Sequence, residues 1–305
     1  MDRVSQSAKR KTHIGGAIAE SLIRASGFSA IAFVVLIFAF LAREGVPAFF
    51  EVKPDVLLGA RWYPTEGHFG LWPLILGSLL VTLGAAAISL PTGLLTAVFI
   101  AEVAPRWLRE IVKPMIEVVA GIPSVVLGFM GMLVLSPLVR QAFNAPTGLT
   151  ALTGSLVLAY MALPTMISVA EDALDSVPRS YRDAALALGA TKWQTIWRVT
   201  VPAARSGILT ATMLGIGRAI GETMAVMMVT GNAARLPLTL DSLLRPVRTM
   251  TATIAAEMGE EAQGSAHFHV LFAIGIVLFI ITLLVNVLAS LAIFRQTRRS
   301  ERLLS

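Results

Sequence analysis

The chain has 305 residues, of which 55% are hydrophobic and only 14% charged, and its mean hydropathy is +0.74. These values exclude an ordinary soluble domain and indicate an all-α protein that crosses a membrane several times. The net charge of +6 would suit nucleic acid, but the basic residues stand in short groups beside apolar stretches. Membrane lipids are therefore the expected counter-charge, and no nucleic-acid partner is predicted.

Six stretches reach or approach the roughly 20 apolar residues that a helix needs to cross hydrocarbon. They are residues 21–41, 71–101, 115–138, 149–170, 206–230 and 270–294. The first is too long for the apolar part of a signal peptide, and no small-residue cleavage site follows it before Arg43. The pattern therefore predicts six transmembrane helices, with the first retained as an anchor.

Basic residues predict the orientation of these helices. Most of the 25 Lys and Arg residues lie on the side of the two termini and of segment 171–203. The opposite side holds Arg43, Lys53, Arg61, Arg140, Arg235, Arg245 and Arg248. Because positive residues concentrate in cytoplasmic loops, both termini and segment 171–203 are predicted to be cytoplasmic.

Segment 171–203 separates the fourth and fifth stretches and is predicted to form two short helices that meet at a corner. Gly189 can end the first helix in the left-handed conformation. Thr191 with Gln194 three positions later makes a capping box for the second helix. We name residues 171–203 the coupling loop.

Each of these short helices presents one distinctive face. The first helix carries a small, mildly apolar face that suits a groove on another protein: Ala184, Ala185 and Leu188. The second carries a face suited to the membrane–water interface: Trp193, Ile196 and Trp197. The alternative is an interfacial hairpin that binds no partner.

The fifth stretch carries two ionisable residues, Arg218 and Glu222, which a continuous helix would place on one face. Such a group costs about 2.5–3.5 kcal/mol at the centre of a membrane helix. One interpretation is a pair that only packs. The other is an anion pathway in which Arg218 meets the substrate and the neighbouring Thr223 contributes a hydroxyl.

Small residues and a proline mark two further positions. Gly217 and Gly221 have the spacing that lets another helix approach closely, either within one subunit or between subunits. In the third stretch, Pro123 frees a backbone carbonyl beside the hydroxyl of Ser124. This combination predicts a kink or a broken helix that lines a cavity, which would add Ser124 to the pathway.

Catalytic and metal-binding signatures are missing from the sequence. It has no cysteine and no G-x-x-x-x-G-K-[ST] motif, so ATP would have to be bound and hydrolysed by a partner. The run 215–221 differs from a dinucleotide fingerprint in its spacing. His267 and His269 are interpreted as residues of a solvated loop, with no metal site. No enzymatic activity is predicted for this chain.

With these residues assembled, the chain resembles the permease subunits of ABC phosphate importers over nearly its whole length. The resemblance rests on 61–79, 104–109 (APRWLR), 121–131 (GIPSVVLGFMG) and 217–232 (GRAIGETMAVMMVTGN). The continuation at 224–228 distinguishes this type of permease from its sister subunit. The coupling loop follows the importer pattern at Asp183, Ala184, Ala185, Gly189, Val199, Val201 and Pro202. That pattern usually has Glu at the first of these positions, and Asp183 keeps the charge on a shorter side chain.

The resemblance implies a type I importer permease with a MetI-like core. Residues 1–70 would form a cytoplasmic tail, the first helix and an outer loop, 71–294 the permease domain, and 295–305 a basic cytoplasmic tail. Partners would be a second, homologous permease, an ATPase dimer that binds ATP and Mg²⁺, and an extracytoplasmic phosphate-binding protein. The ATPase would dock on Asp183, Ala184, Ala185, Leu188 and Gly189.

Two alternatives remain for the function. The first is a permease for another oxyanion, such as sulfate, molybdate or phosphonate, because the coupling loop is shared among importers. The second is an ion-coupled secondary transporter, although no inverted repeat with interrupted helices is visible in the sequence.

Overall fold

The structure, a computed structural model, describes residues 2–301 and is mostly helical there. The helices are α1 (Asp2–Gly45), α2 (Ala48–Glu51), α3 (Pro54–Leu57), α4 (Trp72–Val98), α5 (Arg106–Ala120), α6 (Ser124–Met130), α7 (Ser136–Ala142), α8 (Ala151–Asp175), α9 (Arg179–Ala187), α10 (Lys192–Thr195), α11 (Val201–Ala203), α12 (Arg205–Gly221), α13 (Met224–Val229), α14 (Met250–Glu257) and α15 (Ala266–Glu301). The last four residues of the predicted tail 295–305 lie outside the described residues.

Helices α4, α6 and α10 continue into wider π-helical turns, at Phe99–Val103, Gly131–Leu135 and Ile196–Thr200. Two separate 3-10 turns lie at Pro64–Glu66 and Leu240–Leu244. An antiparallel hairpin pairs β1 (Trp62–Tyr63) with β2 (His68–Phe69).

The apolar helices agree with the predicted all-α membrane protein. Five helical segments are long and apolar enough to cross a membrane: Ala19–Glu51, Trp72–Val103, Ser124–Ala142, Ala151–Asp175 and Ala266–Leu291. A sixth span is counted when α12 is joined to Lys192–Ala203, which meets it at an angle of 70°. All six predicted stretches contain helix, but the third and fifth are interrupted.

The third stretch consists of two separate helices. The amphipathic helix α5 ends at Ala120, Pro123 is extended (φ −59°, ψ 137°), and α6 begins at Ser124. The predicted start of the span at residue 115 is therefore wrong, and the apolar span begins at Ser124. The sequence predicted either a kink or a broken helix here. The structure has a broken helix, since the chain leaves the helical conformation between α5 and α6.

The fifth stretch is also broken. Helix α12 ends at Gly221, Glu222 is extended (φ −72°, ψ 130°), and α13 begins at Met224. The backbone carbonyl of Glu222 accepts a hydrogen bond from the Thr251 hydroxyl at 3.0 Å, and its side chain accepts one from the Ala225 N–H at 3.3 Å. These bonds replace helical ones, so the prediction that Arg218 and Glu222 share a helix face is wrong.

Helix α8 is the most deeply buried of the candidate spans and packs against α4 and α12. Small residues allow these close crossings: a Cβ at Gly84 of α4 would lie 2.3 Å from the Ser155 Oγ of α8, and one at Gly215 of α12 would lie 2.3 Å from Met166. By contrast, α1 packs mainly on α15, where Phe38 and Phe279 have ring centroids 5.0 Å apart. The core of the domain therefore lies around α8.

The segments between α1 and α4 and those after α13 form an ordered cap. Helices α2, α3 and α14, the hairpin and the start of α15 enclose a hydrophobic cluster that includes Trp62, Phe69, Leu74, Met250 and Leu271. The members of this cluster are far apart along the chain, so no local pattern in the sequence indicates it.

The two histidines belong to this cap, so their interpretation as residues of a solvated loop is wrong. They lie in the first turns of α15 and are largely buried. The ring of His267 contacts Glu257 at 2.8 Å and Glu261 at 2.7 Å, and the ring of His269 contacts Glu51 at 2.8 Å. The carboxylates hold both rings in place.

Candidate coupling surface and substrate pathway

The corner of the coupling loop has the predicted geometry. Gly189 follows α9 with φ +84°, and the N–H groups of Gly189 and Ala190 donate to the carbonyls of Leu186 (3.0 Å) and Ala185 (3.1 Å). This pair of bonds is a Schellman motif, which ends a helix and requires the left-handed residue. Thr191 and Gln194 then form the capping box of α10, so both local predictions are confirmed.

Helix α9 offers an uncovered surface. None of its nine residues is buried. Asp183 and Ala184 are exposed, Ala185 is half-buried, and Leu188 at the end of the helix is 89% exposed. This uncovered face is compatible with the predicted docking of a partner, which stays a prediction.

The second short helix differs from the prediction. Trp193 is 61% exposed and Trp197 also faces outward, whereas Ile196 is 2% exposed and lies in the core. The expectation that the three share one face is wrong, because the chain enters a π-helical turn at Ile196 and no longer follows the spacing of an α-helix.

Arg182 of α9 makes four hydrogen bonds to other segments, and no pattern in the sequence predicted them. Arg182 donates to the Glu102 carboxylate from Nε (3.1 Å) and Nη2 (2.7 Å). It also donates to the carbonyls of Leu174 (2.9 Å) and Val177 (2.6 Å). In the sequence, Glu102 is only an acidic residue just after the second apolar stretch, and 80 positions separate it from Arg182.

Further ion pairs join α5 to the end of α8. Lys113 lies 3.1 Å from Glu171 and 3.1 Å from Asp172, and Arg109 lies 3.7 Å from Asp175. The hydrogen bond to Asp172 raises the pKa of the Lys113 ammonium group, burial opposes this, and Glu171 adds to it. Since the pKa is raised, this contribution to stability persists at neutral pH and is lost only as the pH rises through the folded-state pKa.

Arg218 lies within α12 with one polar contact. Its Nη1 donates to the Thr165 hydroxyl of α8 at 3.1 Å. Among the described residues, no carboxylate lies within 4.0 Å of its guanidinium, and Glu222 is engaged in the helix break instead. The chain thus holds a half-buried cation in a membrane helix beside a neutral partner.

The other predicted pathway residues gather where helices begin. Ser124 starts α6, and Thr223 precedes α13 and donates to the Gly221 carbonyl at 3.3 Å. These helices pack side by side, since a Cβ at Gly128 would lie 2.8 Å from Ala225 and one at Gly131 would lie 3.0 Å from Val229. The pairing runs parallel, so Ser124 and Thr223 lie at the same end of the two helices.

The small residues of α12, which we call its small-residue stripe, fall into a buried pair and an exposed pair. Ala211 and Gly215 are buried, and Gly215 packs on α8. Gly217 and Gly221 are exposed, and a Cβ at either would meet no heavy atom within 4 Å among the described residues. The interpretation of Gly217 and Gly221 as a packing seam within this subunit is therefore wrong, and a seam between subunits remains a prediction.

Comparison with known proteins defines the class. Residues 89–301, more than half of the chain, match the family of binding-protein-dependent transport system inner membrane components. The chain belongs to this family and is a multi-pass integral membrane permease of a bacterial ABC transporter.

Two individual relatives are similar to most of the chain. The chain is 40% identical over 268 residues to the probable ABC transporter permease protein YqgH of Bacillus subtilis, covering 86% of each protein. It is 36% identical over 278 residues to the phosphate transport system permease protein PstC of Xylella fastidiosa, covering 85% of this chain and 82% of the relative.

A solved structure supports the fold. A bacterial alginate ABC transporter in complex with a periplasmic protein superposes with a TM-score of 0.61 at 16% identity, covering 88% of this chain and 92% of that one. At this identity the likeness concerns the fold alone, which agrees with the predicted importer permease core.

Proposed function

We propose that this chain is the permease subunit of an ATP-driven importer for inorganic phosphate. It forms the translocation pathway with a homologous, PstA-like permease. A PstB-like ATPase dimer binds ATP and Mg²⁺ and docks on the coupling loop, and an extracytoplasmic binding protein delivers phosphate. Both termini lie in the cytoplasm, and residues 71–294 form the permease domain.

The incompletely satisfied charge of Arg218 carries this proposal. A guanidinium has five N–H donors, and this one has a single described partner, the neutral hydroxyl of Thr165. A charge in a membrane helix costs about 2.5–3.5 kcal/mol on insertion scales. An anion would offset this cost during passage, and the planar guanidinium can bind two oxygens of one oxyanion.

The choice of phosphate comes from the relatives and from 217–232. Relatives named PstC are 34–36% identical to the chain over most of its length, whereas the printed name of YqgH gives no substrate. A permease for sulfate, molybdate or phosphonate is the alternative, because all of these anions would suit a guanidinium. An ion-coupled secondary transporter is less favoured, since the exposed face of α9 suits an ATPase partner.

Uptake of radiolabelled phosphate by proteoliposomes with the complete complex tests the proposal. We expect Arg218→Met to abolish uptake, Arg218→Lys to retain a fraction of it, and the matched change Arg205→Met, at the exposed start of α12, to have little effect. Excess sulfate, molybdate or phosphonate should compete poorly. Normal uptake per assembled complex in Arg218→Met would remove Arg218 from the pathway, and stronger competition by another oxyanion would reassign the substrate.

A further inference from the structure

One side chain makes the described side-chain hydrogen bonds between helix α9 and the membrane-spanning segments. Helix α9 has no buried residue, and among the described residues Arg182 is its only side chain that hydrogen-bonds to the membrane-spanning segments. The side chain of Arg182 is 20% exposed and that of Glu102 is 10% exposed. In the part of the chain that the structure describes, the helix on which the ATPase is proposed to dock is thus hydrogen-bonded to the membrane-spanning segments through the side chain of Arg182 alone.

The four bonds of Arg182 join three elements. Glu102 belongs to the π-helical turn that ends α4. Leu174 lies in the last turn of α8, and Val177 lies in the connection to α9. Carbonyls at the end of a helix lack partners within the helix and favour a nearby cation, so Leu174 is a natural acceptor for Arg182.

We propose that Arg182, together with Glu102, is a positioning residue for transport that makes α9 and the cytoplasmic ends of α4 and α8 move as one body. When the partner displaces α9, the displacement then reaches α8 directly. Helix α8 carries Thr165, which holds Arg218, so the same body includes the contact proposed for the anion. This inference rests on the docking part of the proposed function and is independent of which anion is carried.

The ion pairs of α5 join that helix to α8, but they do not replace the hydrogen bonds of Arg182. Lys113 and Arg109 join α5 to the acidic end of α8, but within the described part of the chain neither forms an ion pair or hydrogen bond with α9. Lys113 lies between two carboxylates, one of them largely exposed, so losing one bond leaves another. Arg182 has no such substitute in α9.

Three variants test the attachment in the reconstituted complex. Arg182→Gln removes the charge, Arg182→Lys keeps the charge but cannot make the same four bonds, and Glu102→Gln keeps the shape of the acceptor. Arg179→Gln, at an exposed arginine of the same helix, is the matched control. Phosphate uptake, ATP hydrolysis and the amount of assembled complex are measured together.

We expect Arg182→Gln to assemble and hydrolyse ATP while phosphate moved per ATP falls by about 5- to 150-fold, the range of typical coupling free energies. Arg182→Lys and Glu102→Gln should fall less, and Arg179→Gln should match wild type. If uptake per ATP is normal in every variant that assembles, and only the yield falls, Arg182 merely stabilises the fold and the inference is wrong.

A second measurement does not depend on the substrate. Because the chain has no cysteine, spin labels can be placed at Leu186 of α9 and Leu95 of α4, both exposed. Their distance distribution should stay narrow with and without ATP in the wild type and broaden in Arg182→Gln. Identical distributions in both proteins would overturn the inference, whereas a wild type that fails to move phosphate would overturn only the substrate assignment.

Discussion

Replacing Gly189 by Val changes the backbone of the coupling loop without creating a steric clash. Gly189 has φ +84°, and a Cβ there would meet no heavy atom of the described residues within 4 Å. The whole effect must therefore come from the left-handed conformation, which a β-branched residue resists. Valine should pull the chain toward negative φ and break the Schellman motif that ends α9.

The size of the effect can be worked out from this geometry. A non-glycine residue in a disfavoured backbone region costs about 1–3 kcal/mol, with β-branched residues at the upper end. Such a cost corresponds to a loss of about 5- to 150-fold in the population with the correct corner. Since α9 has nine residues and none is buried, little packing opposes the change. Asparagine tolerates the left-handed conformation and supplies the matched control.

Membranes that hold the complete complex provide the assay. Gly189→Val should insert normally, lose most of its co-purifying ATPase and lose uptake, while Gly189→Asn should remain close to wild type. Near-normal uptake and ATPase recovery in the valine variant would refute the reasoning. An asparagine variant as defective as valine would show that the added side chain blocks docking and that the backbone is not the cause.

The orientation, the stripe of α12 and its broken end give three further tests. A cysteine at exposed Glu260 should react with an impermeant maleimide from outside and one at Thr191 should not; the reverse would place the coupling loop on the outer side. Gly215→Ala should lower the yield of folded protein through overpacking, at a cost of about 1–3 kcal/mol, whereas Gly217→Ala should spare the yield and weaken recovery of the second permease; equal effects would contradict the division of the stripe. Glu222→Gln should leave assembly nearly normal, because an amide oxygen can still accept the hydrogen bond that starts α13; a large loss of assembly would point to an ion pair with another subunit.

Local signals in the sequence were read correctly where short-range chemistry decides the structure. The left-handed Gly189 and the capping box of Thr191 depend only on residues within a few positions, and both formed as expected. The apolar stretches likewise became helices, because hydrocarbon leaves the backbone few other ways to satisfy its hydrogen bonds.

Long-range partners could not be read from the sequence. Glu222 leaves the helical conformation where its carbonyl accepts a hydrogen bond from Thr251, 29 positions away. His269 found Glu51 at a separation of 218 positions, and Arg182 found Glu102. Each of these pairs depends on how helices pack, and no local pattern specifies that packing.

The basic side chains of this chain differ in the partners that they find. At the end that carries the coupling loop, Arg182 and Lys113 have carboxylate partners, and in the cap His267 has two. Among the described residues, Arg218 has only the hydroxyl of Thr165 as a polar partner. A protein that needed Arg218 for stability alone would gain from a carboxylate beside it, since an uncompensated charge in a low dielectric is costly. The guanidinium, the bare face of α9 and the open glycines of α12 each lack a partner within the described residues, and each suits a different one: an anion, an ATPase and a second permease. The chain therefore has the features expected of one subunit of a larger transport machine, whose open surfaces and uncompensated guanidinium suit partners outside this chain.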